Sequence, residues 1–230
     1  MRLQNQEKML LRAEPIWELD AFEPLISAET MTIHTTQLHQ KYVNNLNKWA
    51  SKYPQILSLA PSDVLSNLSY YLNEDDKDFY INNMGGNLAH TLFWYCLSPR
   101  PKIGTMDIHK TKLGQMYHLN GEALIGAIHN AANERIGSGW VWGALDSSGH
   151  LKIYSTLNHA TPYMRKQIPL FCVDFWEHAY FLDTHSDKNL WISNALNFMD
   201  FSKVDTLLTH LQKNNNLLDS FVLNGAYPSK

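Results

Sequence analysis

The run PLFCVDFWEHAYFL at 169–182 constrains this chain more than any other stretch. It is almost wholly apolar, yet it carries Asp174, Glu177 and His178. An apolar segment of this length is expected in the interior, where a charge is costly unless it is paired or bound to a metal. These groups therefore either satisfy one another or hold an ion.

The chain has 230 residues, 44% of them hydrophobic, enough for one large domain or two small ones. Net charge is −3 and the lysines and arginines are scattered. Without a basic patch, nucleic acid is excluded as the main partner. No apolar run reaches the length of a membrane span. Cys96 and Cys172 lie in apolar runs and read as reduced core residues. The N-terminal MRLQNQEKMLLRAEP lacks the apolar h-region of a secretory signal, so a cytoplasmic protein is expected.

Pro15 and Pro24 make residues 1–24 read as an extension and a loop. A helix is predicted from ISAETM, capped by Ser27 with Glu29 in its first turn. At i, i+4 and i+8, His34, Leu38 and Tyr42 would share one face. Residues 61–79 should hold a short helix and an acidic loop, NEDDKD. A second helix should start after NNMGG and run through His90, Phe93 and Trp94 to about Leu97. Its Gly85 and Gly86 permit close approach of another element.

SPRPKIG at 98–104 is the expected linker. It divides an extension and helical domain, 1–98, from a second domain, 105–230. Residues 119–136 are again helical in pattern. GWVWGAL and LKIYSTL then read as strands joined by the turn DSSG, and PLFCVD as a third strand. Helices return over 187–212, and QKNNNLLDSFVLNGAYPSK reads as a loose polar tail. Strands clustered after helices indicate an α+β fold.

Among eleven histidines, three places stand out. His34 is mid-helix on an apolar face. His90 sits beside Phe93 and Trp94. Asp174 and His178 close the third strand. Taken singly, each reads as a hydrogen-bonded core group or an ion pair; together, with aromatic neighbours, they favour a shared ion.

Four motifs then occur in order: FEPLISAETM…H…HQKYVNNLN at 22–47, NNMGGNLAHTLFW at 82–94, GSGWVW at 137–142 and DFWEHAY at 174–180. In these the chain resembles the iron/manganese superoxide dismutase family over roughly residues 17–210. The resemblance implies an N-terminal antiparallel helical hairpin followed by a domain with a three-stranded antiparallel sheet flanked by helices, with the metal site between the two. It implies His34, His90, Asp174 and His178 as ligands of one Fe or Mn per subunit. Three histidines and a carboxylate suit either metal.

By the same resemblance, Tyr42 lies at the substrate funnel with His39 beside it. Trp94, Trp140 and Trp176 form a dry aromatic wall. Glu177 reaches across a homodimer interface to His178 of the other subunit. His159 is the hydrogen-bond donor to the solvent ligand, because Gly86 stands at the alternative position. The implied reaction converts superoxide to dioxygen and hydrogen peroxide through alternate reduction and oxidation of the metal.

The chain departs from the family pattern at several points. Leu38 and Phe181 stand where a histidine and a tyrosine would meet across the interface, and they are expected to pack together there. Replacing both partners of a buried bond can be nearly neutral. Lys188 stands where an arginine is usual near the funnel mouth. A second reading is a structural or interaction protein of the same fold with impaired catalysis. A third, an iron oxygenase with two histidines and one carboxylate, fails on the third histidine.

Overall fold

The computed structural model describes residues 9–227. Residues 9–24 have no long regular element, but they are pinned to the first hairpin helix. Leu10 exchanges two hydrogen bonds with the Asn47 side chain, at 2.8 and 2.9 Å.

That helix is continuous from Ala28–Thr32 through Ile33–His39 to Gln40–Trp49. It starts as predicted, with the Ser27 hydroxyl accepting from Thr30 N–H at 3.1 Å. Its middle, Ile33–His39, is π-helical. The wider turn shifts the buried face, which runs through Met31, His34, His39, Val43 and Leu46. His39 thus takes the inward place that a regular helix would give Leu38, and Leu38 is only half-buried.

The second hairpin helix starts much earlier than NNMGG. It runs from Glu74–Tyr80 through a second π-helical stretch, Ile81–Gly85, into Gly86–Cys96. The acidic stretch from Glu74 on is therefore helical, not a loop, with Asn73 at the N-cap. Glu74, Asp75 and Asp76 occupy the first turn, where the helix dipole favours negative charge. Every residue of Gly86–Cys96 is buried, as expected of a helix apolar all round.

The sheet has strands β1 (Gly139–Leu145), β2 (Leu151–Leu157) and β3 (Ile168–Asp174). Their order is β2-β1-β3, with both pairs antiparallel. The register sets Trp140 opposite Asp174. Helix Gly86–Cys96 packs on β3, and helix Gly121–Asn133 packs on β2. Helices Glu177–Thr184, Lys188–Asn197 and Phe201–Leu211 complete this part.

The expected loose tail is instead folded over 217–224. Helix Leu217–Asn224 buries Leu218, Phe221 and Val222. Asp219 accepts hydrogen bonds from the backbone and hydroxyl of Ser62, and Tyr227 Oη donates to Thr91 O at 2.9 Å. LLDSFV carries its apolar residues at helical spacing, a pattern that the polar QKNNN before it masks. Residues 228–230 lie outside the described residues.

Candidate metal centre

Four elements bring one ligand candidate each. His34 comes from the π-helical part of the first hairpin helix and His90 from the second. Asp174 is the last residue of β3, and His178 sits in the first turn of Glu177–Thr184. One ligand atom from each lies within 4.8 Å of the other three. His34 Nε2 is 3.0 Å from His90 Nε2 and 3.1 Å from Asp174 Oδ2. Asp174 Oδ2 is also 3.7 Å from His90 Nε2 and 3.6 Å from His178 Nε2.

Local bonds hold these groups in place. His90 Nδ1 lies 2.7 Å from the Gly86 carbonyl one turn back. A carbonyl only accepts, so Nδ1 carries the proton and Nε2 presents a lone pair to the cluster. Asp174 Oδ1 accepts the Trp176 N–H at 2.8 Å, closing the strand-to-helix turn and leaving Oδ2 to the histidines. Trp191 Nε1 donates to the Asp174 backbone carbonyl at 2.6 Å.

The electrostatics suit a cation. Burial lowers the pKa of His34 and of His90, keeping both rings neutral. For Asp174, burial acts upward, but the neighbouring His178 and His34 rings outweigh it and leave a pKa of about 2. A carboxylate oxygen and the His90 lone pair therefore face one another across a dry centre. His178 Nε2 is buried with no hydrogen-bond partner. Acceptors that converge without enough donors fit a bound metal ion better than a closed hydrogen-bond network.

Aromatic rings enclose the cluster. Trp94 stands edge-on to His34 at 4.8 Å and Trp140 edge-on to His90 at 4.9 Å. Trp176 stacks on His178 at 5.3 Å and on His159 at 4.5 Å. His39 stacks on His90 at 5.2 Å.

Tyr42, half-buried at the margin, is 2.7 Å from His159 Nε2. Trp140 Nε1 donates to His159 Nδ1 at 3.1 Å. An indole N–H can only donate, so the His159 proton is on Nε2 and goes to Tyr42 Oη. The single N–H of His159 is thus committed to Tyr42 and is not open to a solvent ligand. Burial lowers the His159 pKa to about 4, so the ring stays neutral. Burial and then the charge of Asp174 raise that of Tyr42.

The glycine pair makes this arrangement feasible. A Cβ on Gly85 would lie 2.1 Å from the His159 carbonyl oxygen, and one on Gly86 would lie 3.0 Å from the Tyr42 ring. The two positions read as alternatives for the donor are thus physically coupled, since Tyr42 occupies the space that a side chain at 86 would need.

Two sequence-derived residues do not join the cluster. Glu177 is exposed and engaged by no hydrogen bond or ion pair among the described residues. Lys188 donates to the Ala132 carbonyl at 2.7 Å and lies over the Phe175 ring. Leu38 is half-buried and Phe181 is 56% exposed. Sequence reasoning missed Asn87, which accepts from His39, and Trp191, which fixes the Asp174 backbone.

A helical hairpin, a three-stranded sheet and, drawn from both parts, a His3Asp cluster that could hold a metal ion define the class of this chain. The family model for iron/manganese superoxide dismutases, alpha-hairpin domain, matches residues 14–98, and that for iron/manganese superoxide dismutases, C-terminal domain, matches residues 94–207. The chain belongs to the iron/manganese superoxide dismutase family.

Proposed function

We propose that the protein is a superoxide dismutase holding one iron or manganese ion per chain through His34, His90, Asp174 and His178. The observation that carries this reading is the convergence of four ligand atoms within 4.8 Å in a buried setting. When bound, the metal supplies one-electron oxidation and reduction.

The chain's own residues do the rest. Gly86 O fixes the tautomer of His90, and Trp176 N–H fixes the Asp174 carboxylate. Trp94, Trp140 and Trp176 keep bulk water out. With the His159 proton donated to Tyr42 Oη, the Tyr42 hydroxyl proton is left to serve another acceptor. Tyr42 is thus the residue placed to hand a proton inward, with His159 setting its orientation. The anionic substrate would reach the cluster past Tyr42, which is only partly buried.

The same reading includes a homodimer. Exposed Glu177, Phe181 and Leu182 share helix Glu177–Thr184 with His178. Glu177 of one copy would pair with His178 of the other, and Phe181 would pack on Leu38. Two domains, 1–98 and 105–230, and a cytoplasmic setting complete the proposal, the latter supported by the free, buried Cys96 and Cys172. The test is metal uptake by the metal-free chain: one ion per chain is expected, and failure to take up either metal would contradict it.

A further inference from the structure

We propose that Asn87 is a positioning residue of the metal centre, acting through His39 on the outer faces of the His90 and His34 rings. The inference rests on reading His34 and His90 as ligands.

The chain of bonds starts at Trp94. Its Nε1–H lies 3.1 Å from His39 Nδ1, and an indole can only donate. His39 must therefore carry its proton on Nε2, which lies 2.8 Å from Asn87 Oδ1. His39 and Asn87 are both buried, so no water is at hand to replace that acceptor. Asn87 also leaves its own Nδ2 buried without a partner. A buried donor left unsatisfied is destabilising. The side chain is held here for its oxygen alone, at the expense of its amide.

The consequence reaches the ligands by contact. The His39 ring lies parallel to His90, 5.2 Å away at 19°. Trp94 stands edge-on to His34, 4.8 Å away at 82°. Asn87, His39 and Trp94 form one hydrogen-bonded strut that backs two ligand imidazoles. Without the oxygen at 87, the His39 Nε2–H loses its acceptor. The ring then turns or changes tautomer, and either move breaks the Trp94 bond.

The test compares wild type with Asn87→Leu and Asn87→Asp. The metal-free proteins, with ¹⁵N-labelled histidine and tryptophan, report the His39 tautomer and the Trp94 indole shift. Manganese-loaded proteins report the rate of metal release to excess chelator. Wild type should show the Nε2–H tautomer. Asn87→Leu should lose that single tautomer, move the indole resonance and release metal about tenfold faster, the lower end of what partners behind ligands are worth. Asn87→Asp keeps an acceptor in place and exchanges the unpartnered NH2 for a second carboxylate oxygen, whose charge the adjacent His39 Nε2–H can face. It should retain the indole shift and release metal at close to the wild-type rate.

The proposal is overturned if wild-type His39 is the Nδ1–H form, if Asn87→Leu matches wild type, or if Asn87→Asp is damaged as fully as Asn87→Leu. If no variant binds metal, the metal reading fails, while the tautomer and indole shift still decide this proposal.

Discussion

Asp174 illustrates how single residues build the site. One carboxylate oxygen closes a turn with Trp176 N–H, and the other faces three imidazoles. Asp174→Asn would keep the turn's acceptor but remove the charge. Metal affinity should fall by at least the roughly 10–100-fold that loss of an outer partner causes, read by titration of the metal-free chain. Tyr42→Phe removes the acceptor of the His159 proton. It should leave metal content intact and slow turnover, seen as a lower kcat per bound metal. At this scale the ligands are legible because a histidine or aspartate inside an apolar run is conspicuous. Asn87 is not, because an asparagine in a helix carries no such mark. Only the tautomer forced on His39 by Trp94 reveals it.

Among the elements, the two π-helical stretches matter most for the site. Both lie where the hairpin helices supply or approach ligands, at Ile33–His39 and Ile81–Gly85. No local feature of the sequence marks them, since the extra residue in the turn is a product of packing. The strands are plain because β1 and β2 are joined by a clear turn, DSSG. The early start of the second hairpin helix is hidden because an acidic run reads as solvated loop. Gly85→Ala puts a methyl against the His159 carbonyl. It should cost at least the 1–3 kcal/mol, roughly, of overpacking, measured by denaturant unfolding.

The hairpin ends are joined by Asp76, which accepts from Lys52 Nζ at 2.6 Å, Tyr53 Oη at 2.7 Å and Trp49 Nε1 at 3.2 Å. Lys52 first, then Tyr53, hold its carboxyl below the usual range. A depressed folded-state pKa adds stability above the unfolded value, about 3.9, and that stability is lost as pH falls through the folded one. The urea-midpoint advantage of wild type over Asp76→Asn should hold from neutral pH to about 5 and shrink below about 4. A difference independent of pH would show that Asp76 is not ionised and paired there.

The whole molecule is clasped by its C-terminal segment. Phe221 and Tyr227 pack on Tyr95 of the second hairpin helix, and Asp219 grips Ser62. The family match ends at residue 207, so this clasp lies beyond it. Ending the chain at Asn214 would expose the surface that Leu218, Phe221 and Val222 cover. With each buried apolar side chain worth about 1.5–3 kcal/mol, a loss of several kcal/mol is expected, read as a fall in Tm. An unchanged Tm would mean that the helix adds nothing to the fold.

Catalysis is the central claim, and its most direct measurement is superoxide dismutation by the purified chain reconstituted separately with iron and with manganese. Turnover is expected with at least one of the two at one ion per chain, and that result also names the metal. Stoichiometric metal with no turnover from either would contradict the claim.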